Sequence, residues 1–377
     1  MARGIGRTAF SAVLAAALLI PVAAPASASL PALTSGSLLT AGSPVTAGSQ
    51  LTAGSQLTAG GTLVRGDAAA GWLARQLVDG ERFEVVFDGV AYPDQGLTLD
   101  AVFAFAATKT SAAYAASAID WIQDPAVLSG YIGSTDNGSG TEAYVGATAK
   151  LALAAEVTGH DPASFAGVDL TGRLSGLLTP SGRFSDRSAW GDFTNAFSQS
   201  FAILALRRTP GGVPGAAVAY LAGSRCADGG YPLLFEQSTC DSQADATAMA
   251  VQALLAAGDR AAARPGLAWL VAHQDTTGGY ADGGVLNANS TGLAAQALQD
   301  GGRVLAAARA RVFLRGLQQG CTAPAADRGA LTFTPGAFDP STATRATAQG
   351  VLGLAGVAYA DLSTTGSGAS APVLACP

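Results

Sequence analysis

The chain has 377 residues, of which 49% are hydrophobic and 13% charged, so it carries enough apolar surface to form a folded core. Its 21 basic and 27 acidic residues give a net charge of -6, and a chain this acidic lacks the basic surface that binds nucleic-acid phosphates. With two histidines and four cysteines, it also offers little material for metal sites or nucleophilic catalysis. The composition predicts a globular protein that does not bind nucleic acid.

Residues 1–28 have the layout of a secretory signal peptide. Two arginines precede an apolar run over residues 9–24, and Ala26-Ser27-Ala28 is a typical cleavage site. No other stretch of the sequence is long and apolar enough to predict a transmembrane helix. We therefore expect a secreted, extracellular protein without a transmembrane segment.

Residues 29–66 are dominated by a six-residue repeat of the type Gln-Leu-Thr-Ala-Gly-Ser. Small polar residues with glycine in every repeat bury too little apolar surface to offset the conformational entropy of the chain. We predict a flexible linker. A short hexapeptide solenoid is the alternative.

Residues 67–362 contain a longer repeat, in which an aromatic-aliphatic pair is followed about eleven positions later by a second aromatic residue. The copies are Trp72-Leu73 with Phe83, Trp121-Ile122 with Tyr131, Tyr220-Leu221 with Tyr231, Trp269-Leu270 with Tyr280, a weaker Arg173-Leu174 with Phe184, and Phe313-Leu314 with a displaced Phe333. After each copy comes an alanine-rich, almost uncharged helical run, as expected of a helix that is covered on every side. Helix pairs must stack to bury their apolar faces. Six pairs predict an all-α (α/α)6 toroid, with an apolar inner barrel inside an amphipathic outer barrel.

The copy that begins at Trp269, which is the fifth in chain order, carries a family resemblance. Residues 269–274 read Trp-Leu-Val-Ala-His-Gln and are followed by Gly278-Gly279-Tyr280. This resembles the QW repeat of squalene and terpene cyclases and the related repeat of protein prenyltransferase β subunits, with Tyr280 where tryptophan is usual. Cobalamin carriers of the transcobalamin and intrinsic factor kind are similar in architecture. The resemblance implies the toroid fold, but it is less specific for chemistry because one fold hosts unrelated functions.

The catalytic motifs of these families are incomplete. A class II cyclase uses an Asp-x-Asp-Asp motif, and the nearest match, residues 243–247, keeps only Asp245. The zinc site of a prenyltransferase needs Asp, Cys and His, but neither His160 nor His273 has a cysteine at ligand spacing. We predict no metal site and no catalytic cofactor. Asp245 is the catalytic acid if the protein is a cyclase, and otherwise we expect it to cap its helix.

Alignment of the six apolar runs places polar residues at equivalent positions. The first ring is Asp94, Glu142, Asn195, Gln243 and Asn287, with Pro340 in the sixth run. The second ring is Thr98, Gly146, Gln199, Thr247, Thr291 and Thr344. A third set, Gln252, Gln296 and Gln349, lies deeper in the last three runs. The first two sets predict polar rings at one mouth of the barrel, where helix capping and threonine packing explain them unless they bind a ligand. The three glutamines are expected to satisfy one another or water, or else to hydrogen-bond a ligand.

Lys150 stands inside an apolar run and is one of two lysines. We expect it to snorkel or to pair with Glu142 or Glu156, or else to point into the barrel toward an anionic group.

The four cysteines are even in number, as disulfide-bonded proteins of oxidising compartments require. Their spacing lacks the close pair that zinc sites use. We favour Cys226 with Cys240 and Cys321 with Cys376, of which the second would tie down the tail formed by residues 363–377.

The sequence predicts a secreted, non-catalytic toroid that binds a bulky, partly apolar small molecule in the barrel mouth. The resemblances imply a corrinoid-like cofactor or an isoprenoid or lipid as the ligand. A divergent terpene cyclase or prenyltransferase-like enzyme is one alternative. A cell-envelope interaction scaffold is another, and an envelope or transporter protein is the corresponding partner.

Overall fold

A computed structural model describes residues 65–134 and 142–377. The predicted signal peptide and nearly all of the predicted linker lie outside the described residues. The described chain is mostly helical, with thirteen α-helices, three two-stranded antiparallel hairpins and one short 3-10 helix. None of these helices has the length and apolar character needed to cross a membrane.

Seven helices belong to the outer wall. They are α1 (Arg65–Ala74), α3 (Ala112–Ile122), α4 (Pro125–Ile132), α6 (Leu170–Ser175), α8 (Gly215–Gly223), α10 (Arg260–Ala272) and α12 (Val304–Leu317). Two short helices, α3 and α4, occupy the place where the sequence repeat predicts one. The strict count of six helix pairs therefore stays a prediction.

The other six helices form the inner ring. They are α2 (Gln95–Thr108), α5 (Val145–Val157), α7 (Ala196–Arg207), α9 (Ala244–Ala256), α11 (Ala288–Asp300) and α13 (Pro340–Ala355). Each contacts the next in this order, and α13 contacts α2, so the ring closes. Their burial explains their composition, since all residues from Leu97 to Ala107 of α2 are buried.

The hairpins lie in the segments that lead into inner helices. They are β1 (Glu84–Phe87) with β2 (Val90–Pro93), β3 (Tyr231–Pro232) with β4 (Ser242–Gln243), and β5 (Tyr280–Asp282) with β6 (Val285–Asn287). In the longest hairpin, Val86 pairs with Ala91 across a two-residue turn.

The aromatic and glycine residues of the repeat pack neighbouring units together. A Cβ atom at Gly230 would lie 2.9 Å from the Trp269 ring, and one at Gly279 would lie 2.8 Å from the Phe313 ring. The last connection meets the first helix in the same way, because Trp72 Nε1 donates to the Ala326 carbonyl at 2.9 Å. The residues of the repeat therefore pack neighbouring units against each other, and they also join the last unit of the ring to the first.

The second predicted ring is structural. In five units a buried side-chain oxygen of the inner helix accepts a backbone N–H from the preceding turn. The pairs are Phe83 to Thr98, Phe184 to Gln199, Tyr231 to Thr247, Tyr280 to Thr291 and Leu331 to Thr347. The last of these pairs belongs to the sixth unit, where the predicted residues, Phe333 and Thr344, are wrong. The unit without such a pair is the second, in which the predicted ring residue is Gly146, which has no side-chain oxygen. The alignment of the sixth unit shifts because α13 starts about one turn earlier, relative to its buried threonine, than the other inner helices do. It begins at Pro340, after the Asp339 cap.

The chain after α13 closes one end of the ring with a 3-10 helix, Tyr359–Asp361. The Tyr359 ring centroid lies 5.4 Å from that of Phe103 in α2 and 5.4 Å from that of Phe201 in α7. Since α5 separates α2 from α7 in the ring, a side chain that touches both lies near the axis. Arg208, at the end of α7, holds this segment by donating to the carbonyls of Tyr359, Ala360 and Leu362. The barrel is filled at this end.

Both predicted disulfides are confirmed. Cys226 is bonded to Cys240, and Cys321 is bonded to Cys376 near the C-terminus. Disulfides of this kind are typical of proteins from oxidising compartments.

The close approach of α11 and α13 makes a prediction about stability. A Cβ atom at Gly292 would lie 2.4 Å from the Gln349 carbonyl oxygen. We expect Gly292→Ala to lower the free energy of unfolding by about 1–3 kcal/mol, because the helices must move apart. Gly316→Ala in α12 is the control, since a Cβ atom there has no neighbour within 4 Å. It is expected to raise stability by about 0.5–1 kcal/mol. Urea denaturation that gives both variants the same effect would contradict this packing.

Candidate functional site

The inner helices begin side by side at the end opposite Tyr359. Asp94, which caps α2, forms an ion pair with Arg345 in α13 at 2.9 Å. Asp186, which precedes α7, accepts the N–H of Val145, the first residue of α5, at 2.7 Å. We call this end the mouth. It comprises the first turn of each inner helix and the connections at residues 75–94, 133–134, 142–144, 176–195, 224–243, 273–287 and 318–339.

Three members of the first predicted ring are helix caps. The Asp94 side chain accepts the Leu97 N–H at 2.8 Å. Asn195 accepts N–H groups at the start of α7, and Asn287 accepts one at the start of α11. Gln243 occupies the cap position of α9, but its side chain makes no capping hydrogen bond. For Asp94, Asn195 and Asn287, capping explains the sequence pattern.

Glu142 does not belong to this ring, because the residue that caps α5 is Tyr144. The Glu142 carboxylate instead accepts the Ala189 N–H at 2.9 Å and the Tyr144 hydroxyl at 3.0 Å. Hydrogen bonds from Ser188 and Ala189 lower the pKa of Glu142. Glu142 thus ties together the segments that lead into α5 and α7.

Lys150 pairs with Asp100 of α2, so the predicted partners Glu142 and Glu156 are wrong. The Lys150 Nζ and Asp100 Oδ1 atoms are 2.5 Å apart, and Nζ also donates to the Gly96 carbonyl. The side chains are 14% and 5% exposed, which places the pair inside the ring. Sequence reasoning missed Asp100, although it is the one acid in the apolar part of α2.

The three glutamines of the third set do not act together. Gln252 Nε2 donates to Gln296 Oε1 at 3.1 Å, and Gln252 Oε1 accepts the Tyr359 N–H at 3.3 Å. Both amides therefore lie at the filled end, away from the mouth. Thr347 is the threonine of α13 that accepts a backbone N–H from the preceding turn. Gln349 lies two positions after it, whereas Gln252 and Gln296 lie five positions after the corresponding threonines of their helices. The predicted equivalence of Gln349 is wrong for the same reason as that of Thr344.

Four buried side-chain atoms of the mouth have no hydrogen-bond partner among the described residues, namely Asp245 Oδ1, Asn289 Oδ1, Ser290 Oγ and Arg183 Nε, and two of them are acceptors on equivalent residues, Asp245 and Asn289. Each is the second residue of its helix, and α9 and α11 are neighbours. The Oδ1 atom of each is buried and has no hydrogen-bond partner among the described residues. Asp245 does not cap α9, contrary to the alternative drawn from the sequence. A buried acceptor without a donor is costly, so both atoms would gain from a hydrogen-bond donor.

Burial raises the pKa of Asp245 to about 6. The nearby Ser290 hydroxyl lowers this pKa, although it does not reach hydrogen-bond geometry, and the charge of Asp282 raises it. A raised pKa makes the carboxyl group a weaker acid, which is the opposite of what protonation of an alkene requires.

The pKa of Asp245 predicts a pH dependence of stability. Between about pH 4 and pH 6 the unfolded carboxyl group has lost its proton while the folded one keeps it, so stability falls as pH rises. We expect Asp245→Asn to remove this loss, and thus to gain stability relative to the parent protein at pH 7.5 but not at pH 4. Urea denaturation at both pH values measures the effect. Asp120→Asn, on the exposed face of α3, is the control. A gain that is the same at both pH values would contradict the prediction.

The part of the chain that the structure describes contains no cluster of three or more His, Cys, Asp or Glu side chains arranged to hold a metal ion.

No family model and no curated protein matches the chain. Among solved structures, a protein from Actinoplanes is similar over 77% of this chain and 97% of its own, with 14% identity and a TM-score of 0.55. Unsaturated glucuronyl hydrolase from Bacillus sp. GL1 is similar over 72% of this chain and 88% of its own, with 13% identity and a TM-score of 0.52. These likenesses support an α/α toroid fold.

An ent-copalyl diphosphate synthase from Streptomyces platensis also matches, with 19% identity over 69% of this chain and 51% of its own. The TM-score of this match is 0.44.

Proposed function

We propose that this chain is a secreted, non-catalytic (α/α)6 toroid that binds a bulky, partly apolar small molecule in its mouth. The observation that carries the proposal is the pair of buried, unpartnered oxygen atoms on Asp245 and Asn289, at the start of neighbouring inner helices. A ligand with N–H or O–H donors would satisfy both atoms and remove the cost of leaving them unpaired.

The surroundings of this pair suit a ligand that is also apolar. Phe197 holds the equivalent second position of α7 and is half-buried. Gly96 and Gly146 hold that position in α2 and α5, so no side chain projects from it there. Apolar walls with a few fixed polar groups are typical of small-molecule sites. A corrinoid-like cofactor with amide donors and an isoprenoid with a hydroxyl group are the classes that the resemblances imply.

A non-catalytic role is favoured because Asp245 is the only acid of the cyclase motif, and burial raises its pKa rather than lowering it. A divergent cyclase or prenyltransferase-like enzyme is the second candidate. It requires turnover of a polyprenyl substrate that Asp245→Asn abolishes. Secretion is supported by the signal-peptide pattern at residues 1–28 and by the two disulfides. In a cell envelope the toroid would act with an envelope or transporter protein.

Thermal unfolding tests the binding proposal. We expect hydroxocobalamin or geranylgeraniol to raise the melting temperature, because a ligand at 100 times its Kd adds about 2.7 kcal/mol to the stability of the folded state. Asn289→Leu should abolish most of this shift. Gln123→Leu is the control, because it also replaces a side-chain amide by leucine but lies at the end of α3 in the outer wall, away from the mouth. This variant should keep the full shift in melting temperature. If neither compound shifts any variant, or if Asn289→Leu retains the full shift, the proposed site is wrong.

A further inference from the structure

The two ends of the toroid differ strongly in charge. The described connections that lead into inner helices, at the mouth, contain fifteen acidic and six basic residues. The connections at the opposite end, residues 109–111, 158–169, 208–214, 257–259, 301–303 and 356–377, contain four acidic and three basic residues. The formal charge is thus -9 at the mouth and -1 at the other end. A field of this kind attracts positively charged partners to one end of the molecule.

The mouth is also where most exposed apolar side chains are found. Of the fourteen large apolar side chains exposed in the described part of the chain, nine lie in the mouth connections. We call six of them the apolar rim: Val86, Phe87, Trp190, Phe193, Leu234 and Val285. Trp190 is 63% and Val86 is 68% exposed. Exposed apolar side chains that gather at one end of a protein make that end its candidate interaction surface.

The loop of residues 185–194 carries Trp190 and Phe193 of the apolar rim, and two of its acidic side chains hold it in place. Asp192 accepts hydrogen bonds from the Ser185 hydroxyl at 2.6 Å and from the Thr194 hydroxyl at 2.8 Å, and it forms an ion pair with Arg183. Asp186 accepts the Phe193 N–H at 3.2 Å. The loop therefore presents Trp190 and Phe193 to solvent in a fixed conformation, which lowers the entropic cost of binding a partner.

The β1–β2 hairpin presents its part of the rim in a similar way. Asp88 and Gly89 have φ angles of 49° and 76°, as the two central residues of a tight hairpin turn require. At the base of the hairpin, Arg82 forms ion pairs with Glu81 and Glu84. Val86 and Phe87 are thus exposed at the tip of an ordered hairpin.

We propose that the mouth docks a partner protein whose contact surface is basic and apolar, such as a basic amphipathic helix. The apolar rim requires an apolar counterpart, and the surrounding acids select a cationic one. The same acids disfavour an anionic lipid surface, which would repel them. The docked partner covers the end of the toroid that contains Asp245 and Asn289. This proposal goes beyond small-molecule binding, and its test uses no small molecule.

Fluorescence anisotropy with labelled model peptides tests this inference on the full mature chain. The probe is an 18-residue amphipathic helix of leucine and lysine, and its counterpart has glutamate in place of lysine. We expect the lysine peptide to bind at least tenfold more tightly than the glutamate peptide. The affinity should fall at least tenfold between 50 mM and 500 mM salt, because the attraction between exposed charges is screened.

Two sets of variants locate the binding surface. Trp190→Ser with Phe193→Ser should weaken binding at least tenfold, whereas Val304→Ser with Leu305→Ser, which removes exposed side chains of α12, should leave it unchanged. Asp88→Asn with Asp282→Asn should weaken binding several-fold, whereas Asp120→Asn with Asp361→Asn should have no effect. Circular dichroism verifies that the variants are folded.

The inference is overturned if the two peptides bind equally, or if the control variants weaken binding as much as the mouth variants. It is also overturned if the protein does not bind the lysine peptide but sediments with vesicles of phosphatidylcholine and phosphatidylserine through Trp190 and Phe193.

Discussion

Replacing Tyr359 by alanine is expected to lower the free energy of unfolding by about 3–5 kcal/mol, as measured by urea denaturation. The side chain is 2% exposed and makes edge-on contacts with the rings of Phe103 and Phe201, so its removal leaves a cavity on the axis of the ring. Neighbouring inner helices cannot collapse into this space, because each is packed between two others.

Tyr359→Phe is the matched control. It keeps the ring and its aromatic contacts, so we expect a loss of less than about 1.5 kcal/mol. An alanine variant within 1 kcal/mol of the parent protein would show that the segment after α13 does not fill the end of the barrel.

Replacing Lys150 by methionine is expected to cost a similar amount, about 3–5 kcal/mol, because Asp100 then stays buried without its cation. Methionine keeps most of the apolar stem, so the loss reflects the charge rather than packing. Urea denaturation at pH 7 measures it.

The double variant Asp100→Leu with Lys150→Met separates the two effects. Removing both charges should recover most of the stability lost in Lys150→Met, since a buried ion pair is often replaced by apolar residues at little cost. If the two substitutions destabilise the protein independently, so that their effects add, Lys150 and Asp100 are not partners.

Much of the ring could be predicted because its determinants are local. A helix covered on every side must be apolar, and the runs around Phe105, Leu153 and Leu254 show this directly. In four units a turn glycine lies against the backbone of the next outer helix, namely Gly182, Gly229, Gly278 and Gly329. The sixth unit was misaligned because the start of α13 depends on the Asp339 cap and Pro340 rather than on the apolar pattern.

The site was harder to predict because its contacts join different units. Asp100 and Lys150 meet only because they stand at the same depth on neighbouring helices, each two residues after the threonine near the start of its helix. Tyr359 belongs to no repeat, so nothing in the pattern indicates that it fills the barrel end. Asn289 had a usable signal, since it occupies the same helix position as Asp245.

The measurement that tests the central claim most directly is native mass spectrometry of the secreted protein from its own host, with absorbance recorded from 250 to 600 nm. Binding in the mouth predicts a retained small-molecule mass, coloured for a corrinoid and colourless for an isoprenoid or lipid. The same mass should be lost from the Asn289→Leu variant. A protein that carries no ligand, and whose mass no cofactor or polyprenyl compound shifts, would contradict the account and favour an interaction scaffold.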